Sequence, residues 1–212
     1  MSENERVRVE VWSDYVCPFC YLEQPDLREL CERYGDSVEV TWRAYELRPD
    51  PVPTLDPDGE YLHNTWNAAV YPMAEALGIE VHLPPVQPRS RQALELAEYA
   101  RERGRFPEVH DALFAAFFRD GRDIGSREVL LEVAESAGLD REGVGADLDE
   151  SRYTERVIRD QELARRLGVA SVPTMLVAAP GEDLEEAEPV VGTQRSNDRL
   201  ARAVDRASER GS

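Results

Sequence analysis

The 212-residue sequence predicts an α/β fold whose two halves are separated by a large all-helical insertion. Three observations carry this reading: a strand–helix–strand pattern in the first 45 residues, the loss of strand signals from about 61 to 167, and their return near residue 171 ahead of a final helix. The order is βαβ, a helical block, then ββα. It places residues 1–60 and 168–212 in one discontinuous domain and 61–167 in a helical insertion domain.

Residues 7–12 (Val-Arg-Val-Glu-Val-Trp) alternate apolar with polar side chains and are rich in β-branched residues, the pattern of a strand. A turn over 13–17 leads to Pro18, placed where a first helical turn has no N–H to lose. The helix that follows is predicted to run from about Pro18 to Tyr34 and to stop at Gly35, with a kink at Pro25, which removes a backbone donor. Residues 38–45 give a second strand, and so compact a unit implies parallel pairing through a right-handed crossover. Pro49, Pro51, Pro53 and Pro57 mark an extended loop. Helices are then predicted near 66–77, 89–103, 107–119, 126–137 and 151–167. In the third of these, Leu113, Phe114, Phe117 and Phe118 recur at i, i+3 and i+4 and read as bundle core. Strand character returns at 171–178, an acidic turn spans 180–189, and Val190 and Val191 begin a partner strand. Ser196 is placed as the cap of a last helix reaching about Ser208.

A chain of this length buries roughly 70% of its unfolded surface, enough for a core without disulfide or metal staples. Its 43 acidic residues exceed its 25 basic ones, giving a net charge of −18. That balance argues against nucleic acid as a partner, since phosphate binding needs a basic surface. No apolar run approaches the ~20 residues of a membrane span, and the acidic start Met1-Ser2-Glu3-Asn4 is unlike a secretory signal, so no membrane partner and a cytoplasmic location are expected. Every basic residue is Arg. Excess acid on a compact fold is self-repelling, yet at molar salt the Debye length falls to ~3 Å and screens it. The composition therefore points to a chain adapted to high salt.

Cys17, Cys20 and Cys31 are too few for a disulfide framework. Two thiols at i and i+3 on a helix lie ~5–6 Å apart, within disulfide reach. At a helix N-terminus Cys17 faces unpaired N–H groups and the positive end of the dipole, which favour a thiolate. The spacing thus supplies an exposed nucleophile in Cys17 and a sheltered resolving thiol in Cys20. Cys31, about 16 Å further along one continuous helix, is out of reach and is expected to be an inert core thiol on the same face as Cys20. A closed metal site needs four ligands, whereas His63, His82 and His110 have no ligand spacing to the cysteines; neither metal nor cofactor is expected.

The order of elements, with Val172-Pro173-Thr174 opening a late strand, resembles the thioredoxin fold. The start Trp12-Ser13-Asp14 ahead of Cys17-Pro18-Phe19-Cys20-Tyr21, together with the large helical insertion, resembles the DsbA-like family and its cytoplasmic FrnE-type branch; residues 121–125 and 165–174 are similar to that branch as well. The resemblance implies a thiol–disulfide oxidoreductase acting on disulfide- or dithiol-containing proteins or small thiols. Cys17 would be the nucleophile and Cys20 the resolver, Pro173 a cis-proline facing them, and Val172 the residue presenting its backbone to an extended substrate. Pro25 is similar to the kink proline of thioredoxins. One departure stands out. The acid that such proteins often bury six residues before the nucleophile is here Val11, Glu10 should face the other way, and Asp14 reads as a turn or cap residue. The proton acceptor for Cys20 is thereby left unassigned. An alternative on the same scaffold is a thiol-cofactor enzyme resembling 2-hydroxychromene-2-carboxylate isomerases and kappa-class glutathione transferases. Those typically carry Ser where Cys17 stands, so the complete CxxC argues against it.

Overall fold

The computed structural model describes residues 5–192 and 196–211, with residues 196 and 197 by backbone alone. Strand β1 (Val7–Ser13) pairs in parallel with β2 (Val38–Ala44), from Val7 opposite Val38 to Ser13 opposite Ala44. On its other side β1 pairs antiparallel with β3 (Thr174–Ala178), which in turn pairs antiparallel with β4 (Glu188–Val191). The order β2-β1-β3-β4 makes β1 central, and its near-continuous burial follows from cover on both faces.

Alternation along β1 sorts its side chains. Val7, Val9 and Val11 pack with Leu27, Leu30, Leu200 and Val204, on helices α2 (Gln24–Tyr34) and α10 (Ser196–Arg210). On the opposite face Trp12 packs with Ala164 and Val169. Its indole Nε1 donates to the Asp160 carbonyl at 3.0 Å, and Asp160 Oδ2 accepts the Ala44 amide at 3.0 Å. Helix α9 (Thr154–Arg166) is thereby fastened to the ends of β1 and β2. Val11 is sealed in the first of these clusters, while Glu10 turns the other way and pairs with Arg43 at 2.8 Å.

The predicted helix over 18–34 is two helices, α1 (Pro18–Leu22) and α2, broken at Glu23. Pro25 is the cause: it has no N–H for the Tyr21 carbonyl, and it sits instead at the second position of a new helix, where none is required. Between β2 and β3 lie α3 (Glu60–Thr65), α4 (Tyr71–Leu77), α5 (Arg91–Glu102), α6 (Phe106–Phe114), α7 (Arg127–Ser136), α8 (Arg141–Asp149) and α9. Single π-helical turns at Trp66–Val70 and Ala115–Arg119 join α3 to α4 and extend α6. Leu113, Phe114, Phe117 and Phe118 are all buried in the core of this block, as their spacing predicts.

Helix α8 has no counterpart in the sequence reading, because Gly143 and Gly145 dilute its helical signal. Asp140 nevertheless caps it, accepting the Gly143 amide at 2.7 Å. The glycines serve packing: a Cβ would come within 2.7 Å of the Tyr99 hydroxyl at Gly143, and of Arg127 Nη2 at Gly145. The capping role given to Ser196 lies outside the described side chains.

Candidate functional site

The site forms where β1 ends. Asp14 turns the chain, its carbonyl accepting the Cys17 amide at 3.1 Å. Its carboxylate is fully buried and fixes a distant loop, Oδ2 accepting the Leu47 amide at 2.7 Å while Oδ1 lies 3.4 Å from the Val16 amide. Cys17 follows in extended geometry as the N-cap of α1, with Pro18 opening the helix. The Cys17 carbonyl accepts the amides of Cys20 at 3.1 Å and Tyr21 at 3.3 Å, so Cys20 lies one turn inside. Both thiols are free.

Cys17 departs from the exposed nucleophile expected of it, being only 4% exposed. The reason lies 155 residues away. Its thiol donates to the Val172 carbonyl, Sγ to O 3.7 Å, and it belongs to the same apolar cluster as the helical block. The Val172–Pro173 peptide bond is cis, and Pro173 is buried. The fold thus brings Cys17, Cys20, Val172 and Pro173 to one place. Cys20 is fully buried, and that burial, with Cys17 beside it, pushes its thiol well above the ordinary range; the Ser13 hydroxyl and the Asp14 backbone amide act the other way. Cys31, expected in the core, is exposed. The break at Glu23 resets the helical face, and α2 turns Leu27 and Leu30 inward instead.

Four further residues at the site, Glu23, Gly192, Gln24 and His110, gave no sequence signal of a role there. Glu23, at the helix break, is buried with its carboxylate against Gly192 and Pro173. A Cβ at Gly192 would meet Glu23 Oε2 and Pro173 Cγ at 2.7 Å each, so only glycine fits there. The Gly192 amide donates to the Pro173 carbonyl at 3.0 Å, tying β4 to the cis-proline turn. Gln24 Nε2 donates to the Cys20 carbonyl at 3.1 Å, and its Oε1 lies 3.1 Å from His110 Nε2. Since an amide oxygen only accepts, His110 must donate there, and its Nδ1 accepts the Tyr15 hydroxyl at 2.9 Å. Burial lowers the His110 pKa to about 3, so the ring is neutral and both its nitrogens are engaged. Among the described residues, no group of three or more His, Cys, Asp or Glu side chains converges as a metal site.

A thiol pair at the start of a helix, facing a cis-proline turn across a βαβ–ββα sheet, defines the thioredoxin-like class. Within it, the chain belongs to the family of DSBA-like thioredoxin domains, which it matches over residues 8–205. It is 33% identical over 195 residues to the uncharacterized protein YwbO of Bacillus subtilis, covering 85% of this chain and 94% of that one. The crystal structure of a probable DsbA oxidoreductase from Streptomyces coelicolor is similar with a TM-score of 0.76 at 29% identity, covering 95% of this chain and 90% of the other. A 2-hydroxychromene-2-carboxylate isomerase shares the fold with a TM-score of 0.72 at 21% identity, over 96% and 95% of the two chains.

Proposed function

We propose that this protein is a thiol–disulfide oxidoreductase of the FrnE-type branch, exchanging disulfides with proteins or small thiols through Cys17 and Cys20. The observation that carries this reading is the placement of the Cys17 sulfur, at the N-cap of α1 and 3.7 Å from the carbonyl that precedes the cis-proline. A substrate disulfide is attacked by the Cys17 thiolate, and a substrate sulfur leaves as a thiol. Cys20 then attacks the Cys17 sulfur of the mixed disulfide and releases the second substrate sulfur. Net, the substrate disulfide is reduced and the Cys17–Cys20 pair oxidised; the reverse sequence oxidises a dithiol. Val172 and Pro173 are the backbone against which an extended substrate is held, with the Val172 carbonyl given up by Cys17 as substrate enters. A cytoplasmic setting accords with the branch resemblance. Among the described residues, no helix is long and apolar enough to cross a membrane.

Insulin reduction with a dithiol donor tests the reading. Activity should vanish in Cys17→Ser, and Cys20→Ser should accumulate mixed disulfides on Cys17, because the first intermediate then has no internal exit. Activity that survives in Cys17→Ser would refute it. Turnover of aromatic substrates with a small thiol, without dithiol chemistry, would replace it with the isomerase or transferase reading.

A further inference from the structure

Resolution by Cys20 requires that a fully buried thiol give up its proton, and the usual buried acid on β1 is here Val11, packed in an apolar cluster. The Asp14 carboxylate is engaged by backbone amides and by the Ser90 side chain, and Asp14 presents its own amide to Cys20. Both nitrogens of His110 are committed. Ser13 stands apart from these. Its hydroxyl lies beside the Cys20 thiol, is buried, and makes no hydrogen bond of ordinary geometry among the described residues.

Ser13 also lines a cavity of about 20 Å³, together with Tyr15, Arg43, Glu98, Arg101 and His110. That volume suffices for the centre of one water molecule, and the lining offers it polar partners. Glu98 is the one carboxylate in this lining; it is largely buried and held by Arg101, whose Nε lies 3.2 Å from both of its oxygens. Arg43, Glu98 and Arg101 also line a cleft of about 560 Å³ on the outer side, so the wall of the small cavity is shared with a much larger space.

We propose that the Ser13 hydroxyl and one water in this cavity form the proton path of Cys20, with Glu98 at its outer end. The path rests on the redox function proposed above and adds the group that serves its second step. As Cys20 attacks the mixed disulfide, its proton passes to Ser13 Oγ, the Ser13 proton passes to the water, and the water gives one to Glu98, which releases it to the cleft. The Cys17–substrate S–S bond breaks, the Cys17–Cys20 bond forms, and the substrate sulfur leaves with the electron pair of the broken bond. Arg101 orients Glu98 through the hydrogen bonds that its guanidinium donates.

Ellman's reagent separates the two steps. With the exposed Cys31 replaced by serine in the parent and in every variant, the reduced protein releases one thionitrobenzoate when Cys17 attacks and a second when Cys20 resolves, and stopped-flow absorbance reads both. Ser13→Ala should leave the first phase unchanged and slow the second by about tenfold or more, the range of lost acid–base assistance. Ser13→Gly makes room for a second water in place of the hydroxyl, so its second phase should be faster than that of Ser13→Ala, although glycine weakens a strand more. A purely structural serine predicts the opposite order. Glu98→Gln should slow the second phase alone. A second phase in Ser13→Ala as fast as the parent's overturns the path, as does Ser13→Gly no faster than Ser13→Ala, or Glu98→Gln unchanged. If the Cys31→Ser parent shows no first phase, the redox function itself falls, and the path with it.

Discussion

Asp14 shows how far one buried carboxyl can shape the pH response of the site. Burial raises its pKa from 3.8 to about 6, outweighing the hydrogen bonds made to it by the Leu47 amide, the Ser90 side chain and the Val16 amide. The folded protein therefore holds this proton more tightly than the unfolded chain does. The stability that Asp14 contributes is complete below about pH 3.8 and is lost as the pH rises through about 6. A shift of this size corresponds to about 3 kcal/mol at neutral pH. Asp14→Asn mimics the protonated acid, so it should raise the melting temperature at about pH 8 and leave it unchanged at about pH 4. Thermal unfolding followed by circular dichroism at the two pH values checks this. A variant less stable than wild type at the higher pH would show that ionised Asp14 supports the turn, through its bonds from the Leu47 and Val16 amides and the Ser90 side chain, by more than its burial costs.

Between elements, the decisive connection is the chain of hydrogen bonds from the Tyr15 hydroxyl through His110 and Gln24 to the Cys20 carbonyl, which joins α6 of the helical block to the turn, α1 and α2. His110→Ala would leave the Tyr15 hydroxyl and Gln24 Oε1 buried and unpaired, at about 1–3 kcal/mol each, and would open a cavity among Trp42, Phe106 and Phe114. A loss of about 3 kcal/mol or more in urea unfolding is expected, and a loss below about 1 kcal/mol would mean that water replaces the ring without penalty. Because the His110 pKa is lowered in the fold, wild-type stability from this residue is complete above about pH 6.5 and falls as the pH drops towards 3, a dependence that His110→Ala should lack. None of this chain was legible in the sequence, since a lone histidine in an apolar helix has the spacing of an ordinary core residue. The strands β1 and β2 were legible because alternation is a local property, and the CxxC placed both thiols because their spacing is fixed within one turn. The shielding of Cys17 was not, since the carbonyl that covers it arrives from a segment 155 residues away. Cys31 was misplaced for a related reason: one proline converted a single helical face into two.

At the scale of the whole molecule, charge is the dominant feature. Arg43 bridges Glu10 and Asp160 at 2.8 and 3.1 Å and fastens α9 to the sheet, but many other arginines pair at the surface, as Arg127 does with Asp149 and Arg141 with Glu128 and Glu135. Salt acts on these two populations in opposite directions. It weakens exposed ion pairs, each worth at most about 1 kcal/mol, and it screens repulsion among the acids left without a cation. Even if every arginine were paired, 43 − 25 = 18 acids would remain in excess. Folding draws these charges together, so their repulsion is stronger in the compact state than in the expanded chain. The excess outweighs the pairs, because half-exposed arginines contribute little that salt can remove, whereas each unpaired acid interacts with all the others within a Debye length. The melting temperature should therefore rise as NaCl increases from dilute buffer to the molar range, with the redox state of Cys17 and Cys20 held fixed. Salting-out of apolar surface acts in the same direction but depends on the anion. A rise that coincides for NaCl and sodium sulfate at equal ionic strength is screening, and a rise confined to sulfate is burial. A melting temperature that stays flat or falls in NaCl would mean that the surface ion pairs outweigh the excess acid, and the absence of lysine would then carry no implication of adaptation to salt.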